Sequence, residues 1–139
     1  MNAKQKNIGL ISASIVAYQN DYKEITRAVL SFFKSKLGGV LYLIDNSPDD
    51  RLKILEQLND SIVYIFNDRN IGYGAGHNIA IKKSMSKGYA YHLVLNPDVF
   101  FDENVLPFLC EYMDKNIDVG NALPKVISSD GEEQGLAKL

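Results

Sequence analysis

Asn67-Asp68-Arg69-Asn70-Ile71-Gly72-Tyr73-Gly74-Ala75-Gly76-His77-Asn78 is a glycine-studded loop that tips into a helix, and Leu95-Asn96-Pro97-Asp98 further on is the end of an apolar strand. The apolar run Ile62 to Phe66 precedes the loop, a helical stretch from about Gly76 to Lys87 follows it, and Gly88 closes that helix. Tyr89 to Leu95 then reads as the next strand. Strand, loop, helix and strand in this order make a βαβ unit, which implies a parallel sheet.

The same alternation extends in both directions. Ile8 to Tyr18, rich in Ile, Val, Ala and Ser, reads as a strand covered on both faces. Asp21 suits a helix N-cap, with Glu24 completing a capping box, and Ile25, Val29, Phe32 and Phe33 form one apolar stripe that Gly38-Gly39 should stop. Val40 to Ile44 is the second strand and delivers Asp45-Asn46 at its end. Ser47-Pro48-Asp49-Asp50 predicts a helix start with Ser47 as cap, and Leu52, Leu55 and Leu58 supply its buried stripe. A last helix is expected from Asn104, which puts Pro107 in the first turn, where its missing N–H costs nothing. Asp118 to Ala122 reads as a fifth strand. The fold class expected is α/β: a Rossmann-like, three-layer α/β/α sandwich on a mostly parallel sheet. Residues 1–127 form one domain and 128–139 a polar, mobile tail.

Composition agrees with a globular domain: 139 residues, 46% apolar and 23% charged, with net charge −2. Scattered lysines and a slightly acidic balance leave no electrostatic footprint for nucleic acid. The single cysteine, Cys110, allows no internal disulfide, and no signal peptide or membrane span is legible, so a cytoplasmic setting is expected, at most peripheral at the inner face of a membrane. Cys110, Met85, Phe32-Phe33 and Phe100-Phe101 read as core. His92, inside a strand, reads as packed, and His77, in the glycine loop, is placed to meet a phosphate; neither histidine has the companions a zinc site needs.

In parallel sheets ligands sit outside the carboxyl ends of the strands, where Tyr18-Gln19, Asp45-Asn46, the glycine loop and Asn96-Pro97-Asp98 all fall. Glycines let backbone N–H groups approach phosphate oxygens, and a strand-end carboxylate can hold the cation that neutralises them. Asp98 is therefore a candidate ligand for Mg²⁺ or Mn²⁺, against the plainer reading of an Asp that ends a strand and caps a turn. Asn96 can reach a ribose hydroxyl or support the metal, or simply form an Asn-Pro turn. Asp45 can accept from the N–H of uracil or thymine, or form an Asx turn; with Ser47 acting as cap it can do both. Asn70 and Asn78 bracket the loop and either touch a ligand or pin the backbone. The spacing G-x-G-x-G at Gly72, Gly74 and Gly76 is not the dinucleotide fingerprint, and no Walker lysine follows.

Taken together, Ser14-Ile15-Val16-Ala17-Tyr18-Gln19-Asn20, Ile44-Asp45-Asn46-Ser47, Asn70 to Ala80 and Leu95-Asn96-Pro97-Asp98-Val99 resemble the amino-terminal half of the family 2 inverting glycosyltransferases of GT-A fold, most closely their rhamnosyltransferase-like branch. The resemblance covers Ile11 to about Lys125. It implies that the Tyr18 region and Asp45 hold the pyrimidine of a UDP- or dTDP-sugar, and that Asn70, Gly72 and Asn78 lie against the nucleotide sugar. It also sets Asn96 and Asp98 where the family has its D-x-D, so Asp98 takes the metal alone. The acceptor, a saccharide or lipid-linked saccharide, and the general base belong to a second half; none of Asp102, Glu103, Glu111, Asp114, Asp118, Asp130, Glu132 and Glu133 stands in the context of that base, so no catalytic residue is assigned. The chain is expected to be a donor-binding half in polysaccharide biosynthesis, truncated before the base. The alternatives are a non-catalytic nucleotide-binding remnant that self-associates, as a homodimer, and a sugar nucleotidyltransferase. Against the latter, the turn Tyr18-Gln19-Asn20-Asp21 lacks glycine and arginine.

Overall fold

The computed structural model describes residues 11–134. Four parallel strands, β1 (Ile11–Ala17), β2 (Gly38–Asp45), β3 (Ile62–Phe66) and β4 (Tyr91–Leu95), lie in the order β3-β2-β1-β4. Helices α1 (Tyr22–Lys34), α2 (Tyr73–Lys87) and α3 (Val105–Lys115) and a 3-10 helix (Arg51–Leu58) flank them. The Rossmann-like α/β architecture expected from the alternation is the one found.

Strand β1 is buried along its whole length, and its two faces differ. Ile11, Ala13, Ile15 and Ala17 join the main core with Ile25, Val29 and Phe32 of α1, Leu52 and Leu55 of the 3-10 helix, and Leu106 and Cys110 of α3. Val16, on the opposite face, packs with Val40, Tyr42, Ile44 and, from α2, Ala80. Ser12 and Ser14 share that second face and are fully buried, so this layer carries polar groups where a parallel sheet usually has aliphatic ones.

Local chemistry fixes the element ends. The Asp21 carboxylate accepts from the N–H groups of Lys23 and Glu24 at the start of α1. Gly88 ends α2 in the left-handed region at φ 76°, with its N–H on the Ser84 and Met85 carbonyls. Asn104 is the N-cap residue of α3, and the Tyr91 hydroxyl donates to Asp114, tying α3 to β4.

Several expectations are corrected. Gly38 and Gly39 open β2 instead of stopping α1, which ends at Ser35. A Cβ on Gly38 would lie 2.9 Å from the Phe32 carbonyl oxygen, and one on Gly39 would lie 2.8 Å from the Tyr89 ring, so close packing demands these glycines. Ser47 caps nothing: the helix after it is 3-10 and starts at Arg51, and the Ser47 hydroxyl accepts from the Gln19 N–H at 2.8 Å. The leucines at spacing three suit a 3-10 turn, in which i and i+3 eclipse; Leu52 and Leu55 are buried and Leu58 half-buried. Helix α2 begins at Tyr73, inside the glycine stretch, and β4 begins at Tyr91. Asp118 to Ala122 forms no strand. Phe32, Phe101 and Cys110 do belong to the core, whereas Met85 is 73% and Phe100 56% exposed, the latter under the Arg27 guanidinium at 3.8 Å. Between Ser128 and Gln134 the chain turns back on itself, with an isolated antiparallel bridge between Ile127 and Glu133. Residues 1–10 and 135–139, which hold the start of the first expected strand and the end of the tail, lie outside the described residues.

Candidate functional site at the carboxyl ends of the strands

The chain runs from β1 outward to β3 and then returns to the other side of β1 as β4. That reversal makes the carboxyl ends of β1 and β4 the switch point of the sheet, the usual ligand position in this architecture. Tyr18, Asn46, the segment Asn67 to Tyr73, and Asn96 to Asp98 all follow strand ends there.

Asn46 organises the middle of this rim. Its N–H bonds the Ala17 carbonyl at 2.9 Å, and its side-chain oxygen accepts from the Asn67 amide at 2.8 Å. Its own amide reaches the Gly72 carbonyl at 3.3 Å and the Asn70 side-chain oxygen at 3.5 Å. Asn70 in turn accepts from the Gly72 N–H at 2.9 Å. Gly72 has φ 92°, a conformation that favours glycine, and a Cβ there or on Gly74 would meet nothing within 4 Å. Gly76 differs: a Cβ there would lie 2.8 Å from Val16, so this glycine seats α2 against β1.

A buried polar ladder fixes the start of α2. His77 is buried, and its Nδ1 lies 2.7 Å from the Ser14 hydroxyl. The same hydroxyl lies 2.7 Å from Nε2 of His92, whose Nδ1 lies 2.7 Å from the Ser12 hydroxyl, itself bonded to Ser84. Burial, with His77 adding to it, pulls the His92 pKa down to about 4, and burial lowers that of His77, so both imidazoles are neutral near pH 7. Nε2 of His77 is buried with no partner. If Nδ1 of His77 donates to Ser14, each following hydroxyl and ring passes a donor onward to Ser84, one consistent order of protons. His92 is packed, as expected. His77 is also part of the interior instead of the phosphate-facing loop group predicted for it.

On the outer side, the Tyr73 ring stands edge-on to the His77 ring, with centroids 4.4 Å apart. The Tyr73 hydroxyl donates to the Asn96 side-chain oxygen at 2.6 Å. Burial and the nearby Asp98 carboxylate raise the pKa of this phenol, so it keeps its proton and acts as donor. The glycine segment and the end of β4, which the sequence offers as two separate motifs, thus meet through one side chain.

Of the seven predicted site residues, the structure places Asn70 and Gly72 in one hydrogen-bonded cluster, and Asn96 against the first turn of α2. Tyr18, Asn78 and Asp98 are exposed. Asp45 is 0% exposed: one oxygen accepts from the Ser47 N–H at 3.0 Å and the other from the Tyr64 hydroxyl at 2.7 Å. The Asx turn considered for Asp45 is therefore present, and Ser47 does not relieve it. Asn46, Tyr64 and Tyr73 are site-building residues that the sequence reading assigned no role. Asn46 and Tyr73 stand inside the two quoted motifs, whereas nothing local marks Tyr64.

Among the described residues, no group of three or more His, Cys, Asp or Glu side chains could hold a metal ion. A single exposed carboxylate fits only a cation that brings most of its own ligands, such as Mg²⁺ or Mn²⁺ shared with a diphosphate. A separate apolar groove of about 730 Å³, lined by Val105, Phe108, Tyr112 and Leu123 among others, lies along α3 and includes none of the predicted site residues.

The Glycosyl transferase family 2 description matches residues 12–137. This chain belongs to that family. No curated protein matches it. Among solved structures, the family 2 domain is similar to S. aureus TarS 1–349, with 19% identity and TM-score 0.65, over 84% of this chain and 38% of that one. A longer S. aureus TarS structure matches with 18% identity and TM-score 0.62, over 85% of this chain and 24% of that one. At this identity the likeness is one of fold. The family 2 domain spans well under half the length of either.

Proposed function

We propose that the domain binds the donor of an inverting glycosyl transfer, a UDP- or dTDP-sugar, together with Mg²⁺ or Mn²⁺. The observation that carries this reading is the meeting of the Gly72 segment with Asn96 and the neighbouring Asp98 through Tyr73, at the switch point of the sheet. Open space beside Gly72 and Gly74 leaves their backbone free for close approach by the diphosphate. Asp98 would hold the cation, which supplies neutralisation of charge on the leaving diphosphate. The exposed Tyr18 ring offers a face for the pyrimidine, and the buried Asp45 ends the neighbouring strand. For the base N–H to reach Asp45, the Tyr64 hydroxyl must yield its oxygen. Asn70 and Asn78 line the sugar side. The rhamnosyltransferase-like motif pattern supports a saccharide or lipid-linked saccharide acceptor and a role in polysaccharide synthesis, with acceptor site and general base supplied outside this domain. No helix among the described residues is long and apolar enough to cross a membrane.

Calorimetric titration with UDP and dTDP, each with and without Mn²⁺, tests the reading. Metal-dependent binding of either nucleotide is expected. Failure to bind both, by folded protein, would overturn it.

A further inference from the structure

We propose that Tyr73 is the positioning residue of this site: by donating to the side-chain oxygen of Asn96, it fixes the orientation of that amide and presents its N–H groups to an acceptor oxygen of the bound nucleotide. The inference rests on the nucleotide reading above and deepens it. An asparagine side chain is ambivalent, with one acceptor oxygen and two N–H donors, and a free one turns to suit whatever approaches. Here the oxygen is engaged at 2.6 Å by a hydroxyl donor. The NH₂ group is what this leaves wholly free for a ligand. One lone pair of the oxygen is occupied, and Asp98 is the only carboxylate of its motif.

Tyr73 can impose this because it is itself held. It is the first residue of α2, and its ring rests edge-on against His77, which is buried and bonded to Ser14 in the central strand. Gly76, one turn on, seats the helix on Val16 and Ile44. The hydroxyl is thus carried on a rigid element rather than a loop, the condition for fixing a partner's orientation. Yet Tyr73 is 53% exposed, so losing its hydroxyl leaves the core intact. The acceptor oxygen belongs either to a ribose hydroxyl or to the diphosphate.

The test is a double-mutant cycle on UDP binding with Mn²⁺, using wild type, Tyr73→Phe, Asn96→Ala and the double variant, each checked for folding by circular dichroism. Tyr73→Phe and Asn96→Ala are each expected to weaken binding about fivefold. The double variant is expected to bind no more weakly than Asn96→Ala alone, because the hydroxyl acts only through that side chain. Independent effects that multiply, or unchanged binding by Tyr73→Phe, would overturn the proposal. With 2′,3′-dideoxyuridine diphosphate, loss of the Tyr73→Phe effect assigns the acceptor oxygen to the ribose, and persistence assigns it to the diphosphate. In ligand-free protein, the Asn96 side-chain amide resonances should shift in Tyr73→Phe; unmoved resonances would overturn the tether itself. Shifted resonances in a protein that binds no nucleotide would sustain the tether and overturn its ligand role together with the nucleotide reading.

Discussion

Asp45 and Asp98 both follow apolar strands, and burial separates what they can do. Asp98 is exposed, available to a cation that arrives with a diphosphate. Asp98→Ala should abolish the metal-dependent part of nucleotide binding, lowering affinity at least tenfold in Mn²⁺ while the circular dichroism spectrum stays unchanged. Wild-type affinity in this variant would remove Asp98 from the cation site. Asp45 is enclosed, and the Tyr64 hydroxyl and the Ser47 N–H satisfy its two oxygens. Tyr64→Phe leaves a buried carboxylate oxygen without its donor, which should destabilise the fold by about 1–3 kcal/mol. Urea unfolding reads this directly, and an unchanged midpoint would show the bond to be of no energetic consequence. Asp45 was legible as a strand-end carboxylate; its enclosure was not, because Tyr64 comes from a neighbouring strand and nothing in the local sequence marks the pairing.

At the level of the element, the glycines around the start of α2 have different duties despite their regular spacing. A Cβ on Gly76 would press into Val16, a stiff β-branched side chain in the sheet, whereas one on Gly74 would enter open space. Gly76→Ala should therefore lose about 1–3 kcal/mol through overpacking, more than the helix-propensity gain of up to about 1 kcal/mol returns. Gly74→Ala should raise stability by about 0.5–1 kcal/mol and weaken UDP binding, because the added methyl would enter the open space proposed for the diphosphate. Thermal melts and nucleotide titrations of the pair separate packing from approach; unchanged UDP affinity in Gly74→Ala would move the diphosphate elsewhere. The helix start at Tyr73 was hidden because three glycines in five residues read as a loop, and only the packing of Gly76 on the sheet shows why the turn is helical. One strand, by contrast, was legible to the residue: Ile62–Phe66 is the span the apolar run predicts, although it lies at the sheet edge with only Ile62 buried, so its signature is apolar and β-branched composition and not burial on both faces. The 3-10 helix was legible in retrospect from leucines at spacing three, a period that α-helices and 3-10 turns both tolerate.

For the molecule as a whole, the serine–histidine ladder is the part least visible in the sequence, since Ser14 pairs with His77 and His92 only after three crossovers bring α2 and β4 against β1. It makes stability depend on pH with a definite sign. Both imidazoles have lowered pKa values in the folded protein, His92 near 4, against about 6.5 in the unfolded chain. Their contribution is complete above pH 6.5 and is lost as pH falls toward 4, because the unfolded chain binds protons that the native ladder refuses. The slope should be at most about 1.4 kcal/mol per pH unit for each histidine, and His92→Gln should flatten it. Urea midpoints measured between pH 4.5 and 7.5 check this; a slope that His92→Gln leaves unaltered would place the acid sensitivity elsewhere. The strand order has a consequence for how the domain is made. During synthesis, at about 5–20 residues per second, β1 can pair with β2 early, but its other edge waits several seconds until β4 leaves the ribosome. Contacts so distant along the chain form late, at a high entropic cost of closure. Nascent chains therefore pass through an interval in which a central strand that is apolar but for Ser12 and Ser14 is half unpaired, and β4's arrival protects that edge and delivers Asn96 and Asp98 in the same event.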